Sequence, residues 1–194
     1  MPEPGDLLSL FYVKLDGQNA PDALIADLLD VSVESSVHLP DVATLIFHDQ
    51  HLTWVDDPKL APGKAVEVSA RGESGEVKIF DGEIVELEPE FEPSTIRLKV
   101  RAFDRLHRLG RGQKVRTFLN TTDGDLMQRL ASEVGLQSAS GPSSPVHAYL
   151  LQANETDLEL LRRRARSLGY LLFVRDRTLH LEPPTAQGSP VELQ

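Results

Sequence analysis

Cysteine is absent from all 194 residues. That excludes a disulfide framework and any thiolate metal cage, and it suits a reducing or an oxidising compartment equally. Aromatic side chains are scarce, at 6% with one tryptophan, which leaves few flat surfaces for stacking bases or sugar rings. No run approaches the roughly 18 apolar residues of a membrane span. Residues 1–5 are Pro-rich and acidic, without the basic and apolar regions of a secretory signal. The chain therefore reads as soluble and not Sec-exported.

Hydrophobic residues make up 40% of the sequence, enough to bury the core of one large domain or two small ones. The net charge of −10 argues against general binding of a phosphate backbone, but it is unevenly spread. Residues 1–96 carry 5 basic and 20 acidic side chains, a net of −15; residues 97–194 carry 15 basic and 10 acidic, a net of +5. The arginines of the back half alternate with leucines at helical spacing and have no surrounding aromatics, so nucleic acid is not expected as a partner.

From residue 7 to 103 the dominant period is two. Leu8/Leu10/Tyr12, Val31/Val33, Thr44/Ile46, Val66/Val68, Val77/Ile79, Ile84/Leu87 and Ile96/Leu98/Val100 are short runs rich in branched residues, as strands require. Turn signals separate them: Leu15-Asp16-Gly17-Gln18-Asn19, Leu39-Pro40-Asp41, Leu60-Ala61-Pro62-Gly63-Lys64, Arg71-Gly72-Glu73-Ser74-Gly75 and Glu88-Pro89 to Pro93-Ser94. Strands at this spacing predict a small antiparallel β-barrel or sandwich. Residues 22–30 have helical apolar spacing but follow Pro21 and are few.

After Phe103 the texture changes. Thr122 opens a segment with an acid, Asp125, three residues on, a capping pattern, and Gly135 as its stop. Leu126, Leu130, Ala131 and Val134 share one face. Thr156 opens a second copy of the plan 34 residues later, with Glu159 at the capping position, Leu158, Leu161, Ala165 and Leu168 on one face, and Gly169 as the stop. That interval matches a tetratricopeptide period, but residues 138–145 are Ser/Gly/Pro-rich and 146–152 read as extended, so no second helix of a repeat pair exists. Residues 170–174 and 178–181 alternate around Arg175-Asp176-Arg177 as a hairpin. The fold class is α+β: a first β-barrel over residues 1–103, an α+β subdomain with two capped helices and a β-hairpin over 104–182, and a linker over 183–194.

Several of these segments, taken in order, resemble a known family. They are Phe103-Asp104-Arg105-Leu106-His107-Arg108-Leu109, Arg116-Thr117-Phe118, the helix from Thr122, Asn154-Glu155-Thr156-Asp157 with its arginine-rich continuation, and Leu168-Gly169-Tyr170. Together they resemble the hub region of the VgrG spike family, the phage late-control D proteins and the spikes of extracellular contractile injection systems. A looser likeness upstream rests on Leu60-Ala61-Pro62-Gly63 and Phe80-Asp81-Gly82-Glu83-Ile84-Val85. The resemblance implies a mechanical part, a homotrimeric baseplate hub that joins the inner tube to a threefold spike. Its partners would be inner tube proteins and other baseplate or spike components. It would assemble in the bacterial cytoplasm within a phage tail-like or type VI secretion-like particle, with extracellular release open to it. It further implies a second barrel and a β-helical spike, which the sequence does not reach.

Enzymatic features are weak. His48-Asp49-Gln50-His51 is the best metal candidate, but its spacing is loose and no His-Glu-x-x-His pattern occurs. Asp56-Asp57 precedes Pro58, and adjacent side chains of an extended chain point apart, which suits a turn better than a carboxylate pair. Gly110-Arg111-Gly112-Gln113-Lys114 lacks the terminal Gly-Lys-Ser/Thr of a phosphate loop, and Gly72-Glu73-Ser74-Gly75 is no nucleophile elbow. No catalytic residue, cofactor or metal is expected. The candidate interface is Arg162, Arg163, Arg164 and Arg166, which at helical spacing fall mainly opposite the leucines. The alternative function, a tail-tip glycan-binding or cell-wall-degrading module, would call for exposed aromatics or paired carboxylates.

Overall fold

A computed structural model describes residues 11–37, 39–72, 75–139 and 144–184. Leu8 and Leu10 of the first strand run, the centre of the Glu73-Ser74 turn and residues 185–194 of the expected linker lie outside them. The chain divides into two compact units, Met1–Arg105 and Leu106–Gln194.

The first unit is built on one antiparallel sheet. Its strands are β1 (Phe11–Leu15), β2 (Gln18–Asn19), β3 (Leu28–Glu34), β4 (Val42–His48), β5 (Ala65–Gly72), β6 (Gly75–Glu92) and β7 (Thr95–Asp104), in the spatial order β2-β1-β5-β6-β7-β4-β3. A five-residue helix, α1 (Asp22–Ala26), follows Pro21 and buries Leu24. Alternation sends Ala43, Leu45 and Phe47 of β4 and Leu98, Val100 and Ala102 of β7 to one face, where they pack with Val66, Val68, Phe80 and Ile84. The branched residues Thr44 and Ile46 of β4 point the other way and are only half-buried.

The closed barrel expected from the strand rhythm is not observed. The sheet ends on β2 and β3, and no ladder joins those ends among the described residues. β2 contributes two exposed residues, too short an edge to carry closure. The two runs around Val77/Ile79 and Ile84/Leu87 merge into the single 18-residue β6, with register shifts at Val68/Ser69 and Ile84/Glu86 absorbing the change of partner. The turn expected from Glu88-Pro89 onward is instead strand as far as Glu92; Pro89 is tolerated there because β5 pairs with β6 only as far as Glu83, leaving Pro89 on an open edge.

The second unit is entered through a 3-10 turn (Arg105–Gly110). It contains β8 (Lys114–Thr121), α2 (Asp123–Glu133), β9 (Gln137–Ser138), β10 (His147–Glu155), α3 (Asp157–Leu168), β11 (Leu171–Arg175) and β12 (Thr178–Glu182). β8 and β10 form an antiparallel ribbon, and β11-β12-β9 a three-stranded sheet in which β9 runs parallel to β12. Both helices begin with complete capping boxes, Thr122 with Asp125 and Thr156 with Glu159. Gly135 and Gly169 take left-handed conformations after the last turns, at φ 71° and 69°. The buried faces are wider than the spacing indicates: Met127 joins Leu126, Leu130 and Ala131, and Leu160 joins Leu158, Leu161 and Ala165. Leu109, Phe118, Leu150, Leu172, Leu179 and Leu181 complete this core. Asp176, at φ 56°, makes the β11–β12 turn.

Two substitutions test this packing. Leu161 is fully buried, and Leu161→Ala is expected to cost about 2–5 kcal/mol in denaturant unfolding as a large-to-small change. At Gly82 a Cβ would lie 2.3 Å from the Phe103 carbonyl oxygen and 2.5 Å from Cζ of Phe80. Gly82→Ala is therefore expected to cost about 1–3 kcal/mol by overpacking, and a loss under about 0.5 kcal/mol would show that the β6–β7 approach is looser than this.

Candidate interaction site

The arginine-rich helix α3 follows the bulge of β10 at Asn154, which takes a left-handed φ of 54°. Thr156 accepts a hydrogen bond from the Glu159 amide at 3.1 Å, and Glu159 accepts one from the Thr156 amide at 2.7 Å. Asp157, the first helical residue, is buried and sits among cations of β8. Lys114 Nζ donates to it at 2.5 Å, Arg116 donates to it through Nη2, and Gln152 Nε2 donates at 2.9 Å. Arg116 also bridges to Glu133 at 2.7 Å and to Gln152 at 2.8 Å.

The first residue of α2 repeats the arrangement. Asp123 is fully buried and takes two hydrogen bonds from Arg164 of α3, at 2.6 and 3.1 Å, with His147 Nε2 at 3.1 Å. Burial pushes its carboxyl up, but the hydrogen bonds and charges of Arg164 and His147 outweigh that and hold it below the ordinary aspartate value. The same hydrogen bond raises the Arg164 guanidinium.

The four candidate arginines thus divide. Arg164 turns into the unit and is committed to Asp123. Arg163 folds back onto β10, donating to Glu155 at 2.6 Å and to the Leu151 carbonyl at 3.0 Å. Arg162 and Arg166, one turn apart, line an open groove of about 600 Å³ together with Asn154, Glu155, Glu159 and Arg163. Burial lowers the Arg162 guanidinium, and the like charge of Arg166 adds to the effect. Arg162 Nη2 is buried without a hydrogen-bond partner. The outward face of the β8–β10 ribbon is apolar: Val115, Leu119 and Tyr149 are 73%, 65% and 60% exposed, with Leu151 next to Tyr149 on the same side. The sequence reading missed this face because β8 carries few strand signals, although Val115-x-Thr117-x-Leu119 alternates.

The remaining candidates serve local structure. Asp49 is buried and accepts hydrogen bonds from the amides of Thr53, Trp54 and Val55 at 2.6–3.1 Å, while His48 and His51 are exposed. Asp57 caps a 3-10 turn through the Lys59 amide at 2.8 Å. Among the described residues no group of three His, Asp or Glu side chains is placed to hold a metal, and no helix is long and apolar enough to cross a membrane. Arg105 of the Phe103-Asp104-Arg105-Leu106 segment donates to Asp81 at 2.8 Å, so two separate stretches that carry the resemblance meet in one ion pair.

Arg164→Ala would leave a buried carboxylate with only His147, and a loss toward the lower end of about 3–5 kcal/mol is expected; Arg166→Ala should stay within about 0.5 kcal/mol. Because the Asp123 carboxyl is depressed, its contribution is fully present above about pH 4, the unfolded value. It fades as pH falls through the lower folded value. Urea unfolding across pH 2–6 should show this acid limb in the native protein and a flatter one in Asp123→Asn.

No curated protein matches the chain. Solved structures do. A 43 kDa tail protein of prophage MuSo2 from Shewanella oneidensis aligns with a TM-score of 0.71 at 18% identity, over 90% of this chain and 53% of its own. The E. coli c3393 protein, a type VI secretion component described as similar to the T4 tail proteins gp27 and gp5, aligns at 0.55 and 13% over 87% and 43%. A Francisella PdpA-VgrG complex aligns at 0.60 and 10% over 90% and 31%. The chain spans about half the length of the first of these and less of the others. At such identities the likeness is one of fold, and that fold is shared by phage tail and VgrG proteins. The sequence itself matches the Alg8 N-terminal domain over residues 6–193, and the chain belongs to that family.

Proposed function

We propose that the chain is a structural hub component of a contractile injection machine or contractile phage tail, joining an inner tube to a threefold spike. The observation that carries this reading is the fold itself: its likeness to phage tail and type VI secretion proteins covers about nine-tenths of the chain. In this reading the seven-stranded sheet is the hub's first barrel in open form, and the second unit is the α+β subdomain that follows it. Its polypeptide partners are further copies of the chain and the tube and baseplate proteins. The particle is assembled in the bacterial cytoplasm. The candidate enzymatic carboxylates and histidines are engaged in turns and caps or stand apart, and this supports a mechanical role over wall degradation.

Imaging of particles from cells expressing the full assembly is expected to place three copies at the junction of tube and spike. Deletion of the gene is expected to abolish particles altogether. Complete particles lacking only wall-degrading activity would instead identify a tip enzyme.

A further inference from the structure

The groove beside α3 carries an excess of positive charge. Arg162 and Arg166 are an i,i+4 pair of like sign, which weakens an isolated helix, and neither has an ion-pair partner within 4 Å among the described residues. Of the two nearby carboxylates, Glu159 closes the capping box while its charge also favours the Arg162 cation, and Glu155 holds Arg163. A guanidinium nitrogen withdrawn from water without an acceptor costs stability, and Arg166 is the exposed member of the pair that an incoming acceptor can reach. Arg163, which lines the groove, donates to the Leu151 carbonyl of the ribbon, whose outward face carries Leu151 and Tyr149; a carboxylate borne next to a large apolar side chain suits this pair of features.

The chain displays such a pair. At the end of the β6–β7 hairpin, Phe91 is 65% exposed, and the neighbouring Glu92 has only a 3.8 Å contact with Arg97, its side chain half exposed. The last rungs, Phe91 with Ile96 and Glu92 with Thr95, lie past the reach of the β5 ladder, which ends at Glu83, and of the β4 ladder, which ends at Arg97. The hairpin is stiffened below them by Glu86 and Glu88 on Arg101 and by Glu90 on Lys99. Those carboxylates are occupied, whereas Glu92 is nearly free.

We propose that the groove of Arg162 and Arg166 receives Glu92 of a second copy of the chain, with that copy's Phe91 against Leu151 and Tyr149. The contact is head-to-tail and so can close into a ring; it rests on the hub reading for its threefold closure but not for its chemistry. The acidic front half, at a net of −15, and the basic back half, at +5, favour this register over like-to-like contact. Glu92 pairs with the exposed Arg166 and offsets the Arg162–Arg166 repulsion.

Sedimentation velocity on the whole chain across a wide concentration range tests it. The wild type is expected to self-associate, weakening with salt. Arg162→Glu/Arg166→Glu, and separately Glu92→Arg, should each raise the dissociation constant by about tenfold or more. One chain carrying all three reversals should recover association. Arg162→Gln/Arg166→Gln, which removes charge at similar size, should also weaken it with an unchanged far-ultraviolet dichroism spectrum, separating loss of contact from loss of fold. Unchanged association in the arginine variants, failure of the triple reversal to restore it, an effect independent of concentration, or no association of the wild type would each overturn the contact. Particle imaging decides the hub reading separately: three copies at the junction without this contact sink the inference alone.

Discussion

The second unit is organised around two carboxylates at places where water cannot serve them. Asp123 and Asp157 each occupy the first position of a helix and are 1% exposed. A carboxylate there gains from the helix dipole and the orphan amides, but its burial must be met by a cation from elsewhere in the chain. Asp123 is met by Arg164 of α3, and Asp157 by Lys114 and Arg116 of β8. Each pair therefore ties a helix start to an element distant in sequence. Hydrophobic packing alone would leave the two leucine faces free to slide; the charge pairs favour one register.

A further ion pair performs the same service in the first unit. Arg105 ends the run out of β7 and reaches Asp81 on β6, and Gly82 beside it lets β6 approach the Phe103 carbonyl. The contact depends on both conditions. A side chain at position 82 would push the strands apart and lengthen the reach of Arg105. The turn after β7 is thus defined by tertiary pairing as much as by its own residues, which explains why it reads in the sequence as a charged motif without an evident purpose.

The helices were legible because their signals are local. Thr122 and Thr156, each with an acid three residues on, state the start, and Gly135 and Gly169 state the stop. The hairpin around Asp176 was legible for the same reason. Closure of the sheet was not, because period-two alternation specifies a face and says nothing of whether the ends meet. The interface arginines were legible only as a group. Helical spacing places Arg164 among its neighbours, and nothing local reveals that an aspartate 41 residues away turns it inward. The small strand β9, paired with β12 in parallel, likewise depends on a non-local partner.

What remains outward on α3 and the ribbon is not what stability alone would favour. A solvated helix face stabilises itself by alternating acid and base at i,i+4, yet here the acids are drawn to the cap and to Arg163, and Arg162 and Arg166 are left facing each other. A two-stranded ribbon is marginal by itself and gains from burying one face; β8–β10 buries Phe118 and Leu150 on one side and leaves Val115, Leu119 and Tyr149 on the other. Both departures lie in the second unit, linked through the Arg163 contact to the Leu151 carbonyl. In a free monomer they are separate costs, an unanswered charge and an uncovered apolar strip. Against a partner that presents a carboxylate beside an aromatic ring they become one complementary surface, in which the apolar strip supplies affinity and the arginines select orientation.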